Sequence, residues 1–169
     1  MNIGGDEGKM DKTIPITSAR TPWRVIPEEV LSEREVVLEV SVVIPLTDEA
    51  GSLRELHRQL SEALAGMNVS YELIFVDDGS RDASPDILLG LSTSDPAVVV
   101  LTHRHNRGKA DALATGFAAT RGDIVVTLDA DLQDDPAELP RFVQALAEGF
   151  DVVTGWKKRR QDSFSKRIQ

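Results

Sequence analysis

The chain has 169 residues, no cysteine and a formal net charge of −9, with 41% hydrophobic and 28% charged residues. Its length suits one globular domain, and the absence of cysteine excludes a disulfide scaffold, a thiol nucleophile and a cysteine-ligated zinc site. The apolar runs, such as 97–101, have the length of strands and fall far short of the ~20 residues that cross a bilayer. An acidic chain repels phosphates, which argues against nucleic acid as a partner.

Charge and hydropathy are unevenly distributed along the chain. Residues 1–36 are polar, rich in Gly and Pro and without a sustained hydrophobic period, so we predict an irregular N-terminal extension before a single domain at 37–169. No apolar segment near the N-terminus resembles a secretory signal, which favours a cytoplasmic location. Residues 157–169 hold six basic residues and one acidic residue. This end is either a solvated tail or a surface for phosphates and anionic headgroups.

From residue 37, strand and helix patterns alternate. A β-branched run at 40–45 predicts the first strand, and apolar residues at helical spacing between 53 and 64 predict the first helix. The same reasoning predicts four more strands, at 71–76, 97–101, 124–128 and 151–154. It predicts three more helices, around 87–91, 110–118 and 139–146. Five strands alternating with four helices indicate an α/β fold with a mainly parallel sheet and helices on both faces.

The last two predicted helices each have an apolar face and a glycine beyond it. We expect Gly122 and Gly149 to end these helices. The predicted apolar face of the helix before Gly122 consists of Ala110, Leu113, Ala114, Phe117 and Ala118.

Acidic residues follow three of the predicted strands, at 48–49, at 77–78 and at Asp129 and Asp131. In an open parallel sheet the ligand crevice lies beyond the carboxyl ends of the strands. Neighbouring carboxylates stay ionised beside a hard cation such as Mg²⁺ or Mn²⁺, which also recruits phosphates. On an extended chain Asp129 and Asp131 face one side, so we expect them to address one metal and diphosphate, with the Gln133 carbonyl as a further ligand.

Each acidic cluster also has a purely structural interpretation. Residues 77–82 can form a turn and the N-cap of the next helix, and residues 131–136 can start a helix with proline in its first turn. Two such clusters at the ends of strands in one sheet favour a functional site. Lys109 opens a helix near these strand ends, where it either meets a nucleotide or lies on the surface.

Other ligand-binding devices are absent or weak. The first predicted strand is not followed by Gly-x-Gly-x-x-Gly, and no Walker A motif occurs, so neither a nicotinamide dinucleotide nor a P-loop is indicated. His103 and His105 complete neither a triad nor a histidine-rich metal site, and we interpret them as loop residues. We interpret Trp156 as a packing residue.

Taken together, five segments in chain order resemble family 2 glycosyltransferases, and among them the polyprenyl-phosphate sugar transferases, including dolichol-phosphate mannosyltransferase-like enzymes. The segments are SVVIP at 41–45, VDDGS at 76–80, NRGK at 106–109, DADLQD at 129–134 and GWK at 155–157. The resemblance covers about residues 38–169. It implies a GT-A fold, a Rossmann-like sheet, a divalent metal, either Mg²⁺ or Mn²⁺, and a nucleotide-sugar donor such as a UDP-sugar or GDP-mannose.

The resemblance also implies roles for individual residues. Pro45, Glu49 and Asp77 would line the nucleoside pocket, beside Asp78 and Lys109. Asp129 would face the ribose and diphosphate, and Lys157 would lie near the phosphates. The metal ligands and catalytic residues come from the last acidic cluster, with Asp129, Asp131 and Gln133 at the metal and Asp129 and Asp131 central to catalysis.

Two departures from the family pattern matter. The usual aromatic-Asn-Glu after the first-strand proline is Thr47-Asp48-Glu49 here. The chain also stops at Gln169, where relatives continue toward the acceptor side and interface helices. We therefore expect the donor-binding half of a larger enzyme, placed at the cytoplasmic face of the membrane through the part beyond Gln169, and inactive alone if that part completes the site.

The implied reaction is inverting transfer of a sugar to a polyprenyl phosphate, dolichyl or undecaprenyl. Three alternatives remain: a sugar nucleotidyltransferase, a receiver-like signalling domain and a non-catalytic fragment that binds a nucleotide sugar or a partner chain. A nucleotidyltransferase would carry a glycine-rich basic loop after the first strand, where residues 46–51 are acidic. A receiver domain would not need the second acidic cluster at Asp129.

Overall fold

Strands and helices alternate along residues 39–155, the part of the chain that the computed structural model describes. The strands are β1 (Val40–Leu46), β2 (Tyr71–Asp77), β3 (Val98–Thr102) and β4 (Ile124–Thr127). The helices are α1 (Leu53–Ala65), α2 (Ser84–Ser94), α3 (Lys109–Ala119) and α4 (Leu139–Ala147), with a 3-10 turn at Pro136–Glu138. The strands form one parallel sheet in the order β3-β2-β1-β4. The predicted α/β fold is confirmed.

The central strand β1 determines where the loops meet. All of its residues are buried, as expected for a continuous apolar run covered on both faces. Because every ladder is parallel, the strands end at the same edge: Leu46 pairs with Asp77, and Asp77 pairs with Thr102. The loops that follow β1, β2 and β3 therefore start side by side.

Helices cover both faces of the sheet. On one face α1, α2 and α4 enclose the larger apolar cluster, in which Phe75 of β2 is fully buried. The predicted stripe on α1 is confirmed, since Leu53, Leu56, Leu60 and Leu64 are all 0% exposed. The opposite face is covered by α3, which packs on Val43, Ile74 and Val76.

The predicted apolar face of α3 is wrong for four of its five residues, since only Leu113 packs against the apolar cluster on this side of the sheet. The residues that α3 buries are Ala112 and Gly116, whereas Phe117 is 47% exposed and Ala110, Ala114 and Ala118 are exposed. The reason is close packing: a Cβ on Gly116 would lie 2.3 Å from Cγ1 of Val43. The small residues Ala112 and Gly116 therefore form the buried contact face, with Leu113 partly buried beside them and Phe117 outside it.

The two predicted helix ends have different outcomes. Gly149, with φ +102°, directly follows the C-cap of α4, as expected for a left-handed helix end. In contrast, α3 ends with Thr120 as its C-cap. Gly122 instead allows the chain before β4 to lie close to the start of β1, because a Cβ on Gly122 would lie 2.7 Å from the backbone nitrogen of Ser41.

The fifth predicted strand, at 151–154, is also wrong. Residues 151–155 form no strand, and Val152 is 81% exposed. The β-branched residues Val152, Val153 and Thr154 favour an extended chain, but a strand also requires a ladder of backbone hydrogen bonds with a neighbour. Within residues 39–155, β4 has a ladder with β1 alone.

The predictions for the extension at 1–36, the basic end at 157–169, Trp156 and Lys157 lie outside the described residues. No helix within 39–155 is both long and apolar enough to span a bilayer.

Candidate donor-binding site

A cavity of about 240 Å³ opens at the carboxyl edge of the sheet. Its walls come from the end of β1, the loops after β1, β2 and β3, the start of α3 and the chain after β4. The lining residues are Pro45, Leu46, Thr47, Glu49, Asp78, Asn106, Gly108, Lys109, Ala112, Asp129, Ala130 and Asp131. Four of these are acidic and one is basic, so the cavity has a strongly acidic wall beside a single ammonium group.

Most of the candidate residues predicted from the sequence meet in this cavity. Those that line it are Pro45, Glu49, Asp78, Lys109, Asp129 and Asp131. Asp77 and Gln133 do not belong to its lining and instead line two neighbouring cavities. The functional roles of all these residues stay predictions.

Asp77 stabilises a turn. It is 1% exposed, and its Oδ1 accepts the backbone N–H of Ser80 at 2.9 Å. Gly79 within this turn has φ +75°, and a Cβ there would lie 2.7 Å from the backbone nitrogen of Asn106. The loops after β2 and β3 therefore touch at a position that only glycine fits.

Asp48 connects the loops after β1 and β2, a role that the sequence reasoning missed. Its Oδ1 accepts the backbone N–H groups of Arg81 at 2.6 Å and Asp82 at 3.2 Å, and its own N–H donates to Oγ of Ser80 at 2.9 Å. The backbone of Asp48 has φ +58°, a left-handed conformation that Asn and Asp tolerate best among residues with side chains. This preference was the available signal, since Asp48 stands where the family pattern has Asn.

Asp78 holds the loop that precedes Lys109. Its Oδ1 accepts the Arg107 N–H at 2.9 Å and its Oδ2 accepts the Gly108 N–H at 2.7 Å. The ring of His103 also contacts Oδ1, with Nδ1 at 2.7 Å. Burial of Asp78 acts to raise its pKa, but the hydrogen bonds from Arg107, His103 and Gly108 outweigh burial and lower the pKa. Asp78 is therefore ionised at neutral pH.

The chain after β4 places two carboxylates on one wall of the cavity. The expected extended conformation is not observed: Ala130 and Asp131 lie in a turn, and Leu132 has φ +61°. The carboxylate of Asp131 accepts the Gln133 N–H at 3.1 Å. Asp129 forms an ion pair with Lys109, whose Nζ lies 2.5 Å from Oδ1 of Asp129. Asp129 and Asp131 therefore share the cavity, although by a turn and not by an extended chain.

These carboxylates suit a divalent metal that binds together with phosphates. Within residues 39–155, no group of three or more His, Asp or Glu side chains is arranged to hold a metal ion alone. Mg²⁺ commonly binds through one or two carboxylates, with phosphate oxygens and water as the other ligands. Asp129 and Asp131 offer two carboxylates on one wall, so the donor set fits a metal that arrives with a diphosphate.

Comparison with known families decides the classification of this chain. The sequence model described as "Glycosyl transferase family 2" matches residues 41–169. The chain belongs to glycosyl transferase family 2. The resemblance inferred from the five sequence motifs is thereby confirmed, and the parallel sheet with helices on both faces is the corresponding GT-A fold.

A curated relative from Pseudomonas aeruginosa, named undecaprenyl-phosphate 4-deoxy-4-formamido-L-arabinose transferase, is 45% identical over 129 residues. The match covers 76% of this chain and 38% of the relative. The chain therefore spans less than half the length of this family 2 relative.

Two solved structures have the same fold. A mannosyltransferase from Pyrobaculum calidifontis, in complex with GDP-Man and Mn²⁺, matches with a TM-score of 0.58 and 27% identity over 77% of this chain and 37% of that chain. Glucosyl-3-phosphoglycerate synthase from Mycobacterium tuberculosis, in complex with UDP, matches with a TM-score of 0.54 and 28% identity over 79% of this chain and 47% of that one.

Proposed function

We propose that this chain is the donor-binding part of an inverting glycosyltransferase that moves a sugar from a nucleotide sugar to a polyprenyl phosphate. The observation that carries the proposal is the cavity at the carboxyl edge of the sheet, where Asp129, Asp131 and Lys109 meet. The acceptor class is supported by the name of the relative, an undecaprenyl-phosphate sugar transferase. The donor class is supported by the GDP-Man and UDP complexes of the structural neighbours.

The charges in the cavity suit a nucleoside diphosphate leaving group. Asp129 and Asp131 would hold Mg²⁺ or Mn²⁺, which when bound neutralises the charge of the diphosphate. Lys109 supplies a second positive charge at the start of α3. Because Asp129 already pairs with Lys109, the diphosphate and this carboxylate would share the ammonium group. Pro45 and Glu49 would line the part of the cavity that holds the nucleoside. Asp78 would hold in place the loop that leads to Lys109.

In the proposed reaction an oxygen of the acceptor phosphate attacks the anomeric carbon of the sugar. The bond between this carbon and the diphosphate oxygen breaks, and the nucleoside diphosphate leaves with the bonding electrons. A phosphate monoester has a second pKa of about 6, so the nucleophile is largely ionised at neutral pH. A strong general base is therefore unnecessary, and none is assigned among the described residues.

A polyprenyl phosphate is a lipid, so the complete enzyme would act at a membrane surface. We predict that the enzyme acts at the cytoplasmic face of the membrane. Residues outside the described part, including Lys157, would contact phosphates or lipid headgroups. The nucleotidyltransferase and receiver-like alternatives lose support because the chain belongs to family 2. A non-catalytic donor-binding fragment remains the second candidate, because the chain spans 38% of the relative.

The proposal predicts metal-dependent donor binding. The chain is titrated calorimetrically with UDP-glucose and with GDP-mannose, first in Mn²⁺ and then in EDTA. One donor should bind in Mn²⁺, and its affinity should fall at least about tenfold in EDTA, because the carboxylates of the cavity repel a diphosphate whose charge no metal neutralises. Since a single pair of carboxylates holds the metal, Mn²⁺ alone should bind weakly. Sugar transfer to an undecaprenyl phosphate then separates an active enzyme from a fragment that only binds.

Two matched variants test whether the metal binds in the cavity. Asp131→Asn should abolish the Mn²⁺ dependence while the unfolding transition stays that of a folded domain. Asp86→Asn removes an exposed carboxylate from the first turn of α2, away from the cavity, and should leave donor binding unchanged. Donor binding that is equal in Mn²⁺ and EDTA would contradict the metal assignment, and binding of neither donor would contradict the proposed donor site.

A further inference from the structure

His103 lies directly beyond β3 and is buried, with 9% exposure. Its Nδ1 lies 2.7 Å from Oδ1 of Asp78, and its Nε2 lies 2.9 Å from Oγ1 of Thr115 in α3. The ring thus bridges the loop after β2 and the second turn of α3. His103 does not line the cavity where Asp129, Asp131 and Lys109 meet. It lines the neighbouring cavity together with Asp77, so contact with a diphosphate beside Lys109 does not explain its placement.

The hydrogen bonding of the ring follows from the ionisation of Asp78. The pKa of Asp78 is lowered, since the hydrogen bonds to its carboxylate outweigh the effect of burial. A carboxylate only accepts hydrogen bonds, so Nδ1 of His103 carries the proton and donates. In the neutral ring Nε2 then accepts from the hydroxyl of Thr115. The ring has one partner on each side and a fixed tautomer.

The pair of His103 and Asp78 controls the backbone that presents Lys109. Asp78 accepts the N–H groups of Arg107 and Gly108, at 2.9 and 2.7 Å. Gly108 has φ +93° and is the N-cap of α3, and Lys109 is the first residue of this helix. If Asp78 turned away, the Arg107 N–H would lose this acceptor and the Gly108 N–H would keep only Oδ1 of Asn106, at 3.1 Å, so the backbone before Lys109 would be less restrained.

We infer that His103 is a positioning residue: by holding Asp78 against the amides of Arg107 and Gly108, it places the Lys109 ammonium group on the wall of the cavity. The effect on the loop depends only on the geometry of the described residues. The effect on diphosphate binding rests on the proposed function. His103 is therefore expected to act on the phosphate end of the donor, through a chain of hydrogen bonds and without touching it.

Two amide side chains separate this role from simple packing. The amide of His103→Asn occupies the place of Nδ1 and can still donate to Asp78. The longer His103→Gln places its amide near Nε2, where it reaches Thr115 but not Asp78. Each variant keeps one of the two hydrogen bonds of the ring, so both should lose similar global stability. Thr115→Val removes the other partner of the ring without changing the contact with Asp78.

The first measurement is amide hydrogen exchange of Arg107 and Gly108 by NMR in the full chain, which requires no ligand. His103→Gln should accelerate exchange of the Arg107 amide about tenfold, the effect of losing one charge-assisted hydrogen bond. Exchange of the Gly108 amide should accelerate less, because this N–H also donates to Oδ1 of Asn106. His103→Asn and Thr115→Val should stay within about twofold of the original protein at these amides. Equal exchange in His103→Asn and His103→Gln would overturn the inference, whether both are fast or both are slow.

The second measurement is calorimetric affinity for UDP and GDP in Mn²⁺. For whichever nucleotide binds, His103→Gln should weaken binding about tenfold and His103→Asn should restore it to within about twofold. Uridine or guanosine, which lack phosphate, should bind the two variants equally. If the original chain binds neither nucleotide, the proposed function fails while the exchange result still tests the positioning role. If amide exchange is faster in His103→Gln but its nucleotide affinity is unchanged, the inference that His103 positions Lys109 for the diphosphate would be overturned.

Discussion

At the scale of single residues, Asp48 shows how one carboxylate determines the shape of the site. It accepts the N–H groups of Arg81 and Asp82, whose loop follows a different strand. Its left-handed backbone, with φ +58°, makes this contact possible. Next to it, Glu49 and Ala50 donate their N–H groups to Oγ of Ser84 and to Oδ2 of Asp82. The two loops are therefore joined by several hydrogen bonds.

We predict that Asp48→Ala destabilises the domain by about 1–3 kcal/mol, because two backbone N–H groups lose a charged acceptor and alanine is strained at positive φ. Asp48→Asn keeps both an oxygen acceptor and tolerance of the left-handed conformation, so it should cost less. Urea unfolding of the two variants at neutral pH measures the difference. An Asn variant as unstable as the Ala variant would show that the negative charge, and not the backbone conformation or the acceptor, dominates.

At the scale of elements, α3 lies close to the sheet because Gly116 faces Val43 and Val76. The helix buries only Ala112 and Gly116, yet it carries Lys109 at its first position. The distance between α3 and the sheet therefore influences the cavity as well as the core.

Two glycine substitutions test this close packing. Gly116→Ala should destabilise the domain by about 1–3 kcal/mol through overpacking, since the added Cβ would lie 2.3 Å from Cγ1 of Val43. Gly90→Ala in α2 is the matched control, because a Cβ there has no heavy atom within 4 Å. It should stabilise the domain by about 0.5–1 kcal/mol through helix propensity. Thermal unfolding of both variants measures the contrast, and equal shifts in the same direction would refute tight packing at Gly116.

At the scale of the whole molecule, the buried carboxylate of Glu72 joins distant parts of the chain at the edge of the sheet opposite the cavity. Glu72 of β2 is 2% exposed and accepts from the hydroxyl of Ser41 at 2.7 Å and from Nη2 of Arg121 at 2.8 Å. It also accepts the backbone N–H of Arg121 at 2.8 Å. Burial acts to raise the pKa of Glu72, but the hydrogen bonds from Ser41 and Arg121 outweigh it and lower the pKa.

A lowered pKa gives a defined pH dependence of stability. In the acid range the unfolded chain binds the proton of Glu72 more readily than the folded chain, so the free energy of unfolding falls as the pH drops below the unfolded pKa of about 4.3. Asp78 and Asp82, whose pKa values are also lowered, contribute in the same direction. Above this range the contribution of Glu72 is fully present.

Removing the charge of Glu72 should reduce this dependence. In Glu72→Gln the domain should be less stable at pH 7, and its free energy of unfolding should fall less steeply between about pH 5 and pH 3 than that of the original chain. Denaturant unfolding across this range gives both slopes. Parallel slopes in the two proteins would mean that Glu72 has the same pKa in the folded and unfolded states.

The sequence by itself determined the features that depend on local pattern. The leucines of α1 recur at helical spacing and are all buried, and the strand pattern placed acidic residues at one edge of a parallel sheet. Such features follow because burial of a periodic apolar face is specified by neighbours along the chain. Of the six predicted residues that line the cavity, Glu49, Asp78, Lys109, Asp129 and Asp131 lie within a few residues of a strand end or at the start of a helix. Pro45 lies within β1 and was predicted from the family resemblance alone.

Only the tertiary structure decided the contacts between loops that lie far apart in sequence. His103 meets Asp78 across 25 positions, and Asp48 meets Arg81 across 33. The face of α3 and the absence of a strand at 151–155 were also decided at this level. In each case the outcome depends on which groups lie close together in the folded chain. A hydrogen-bond acceptor, a neighbouring strand or the space for a Cβ is in place only once separate elements have packed together.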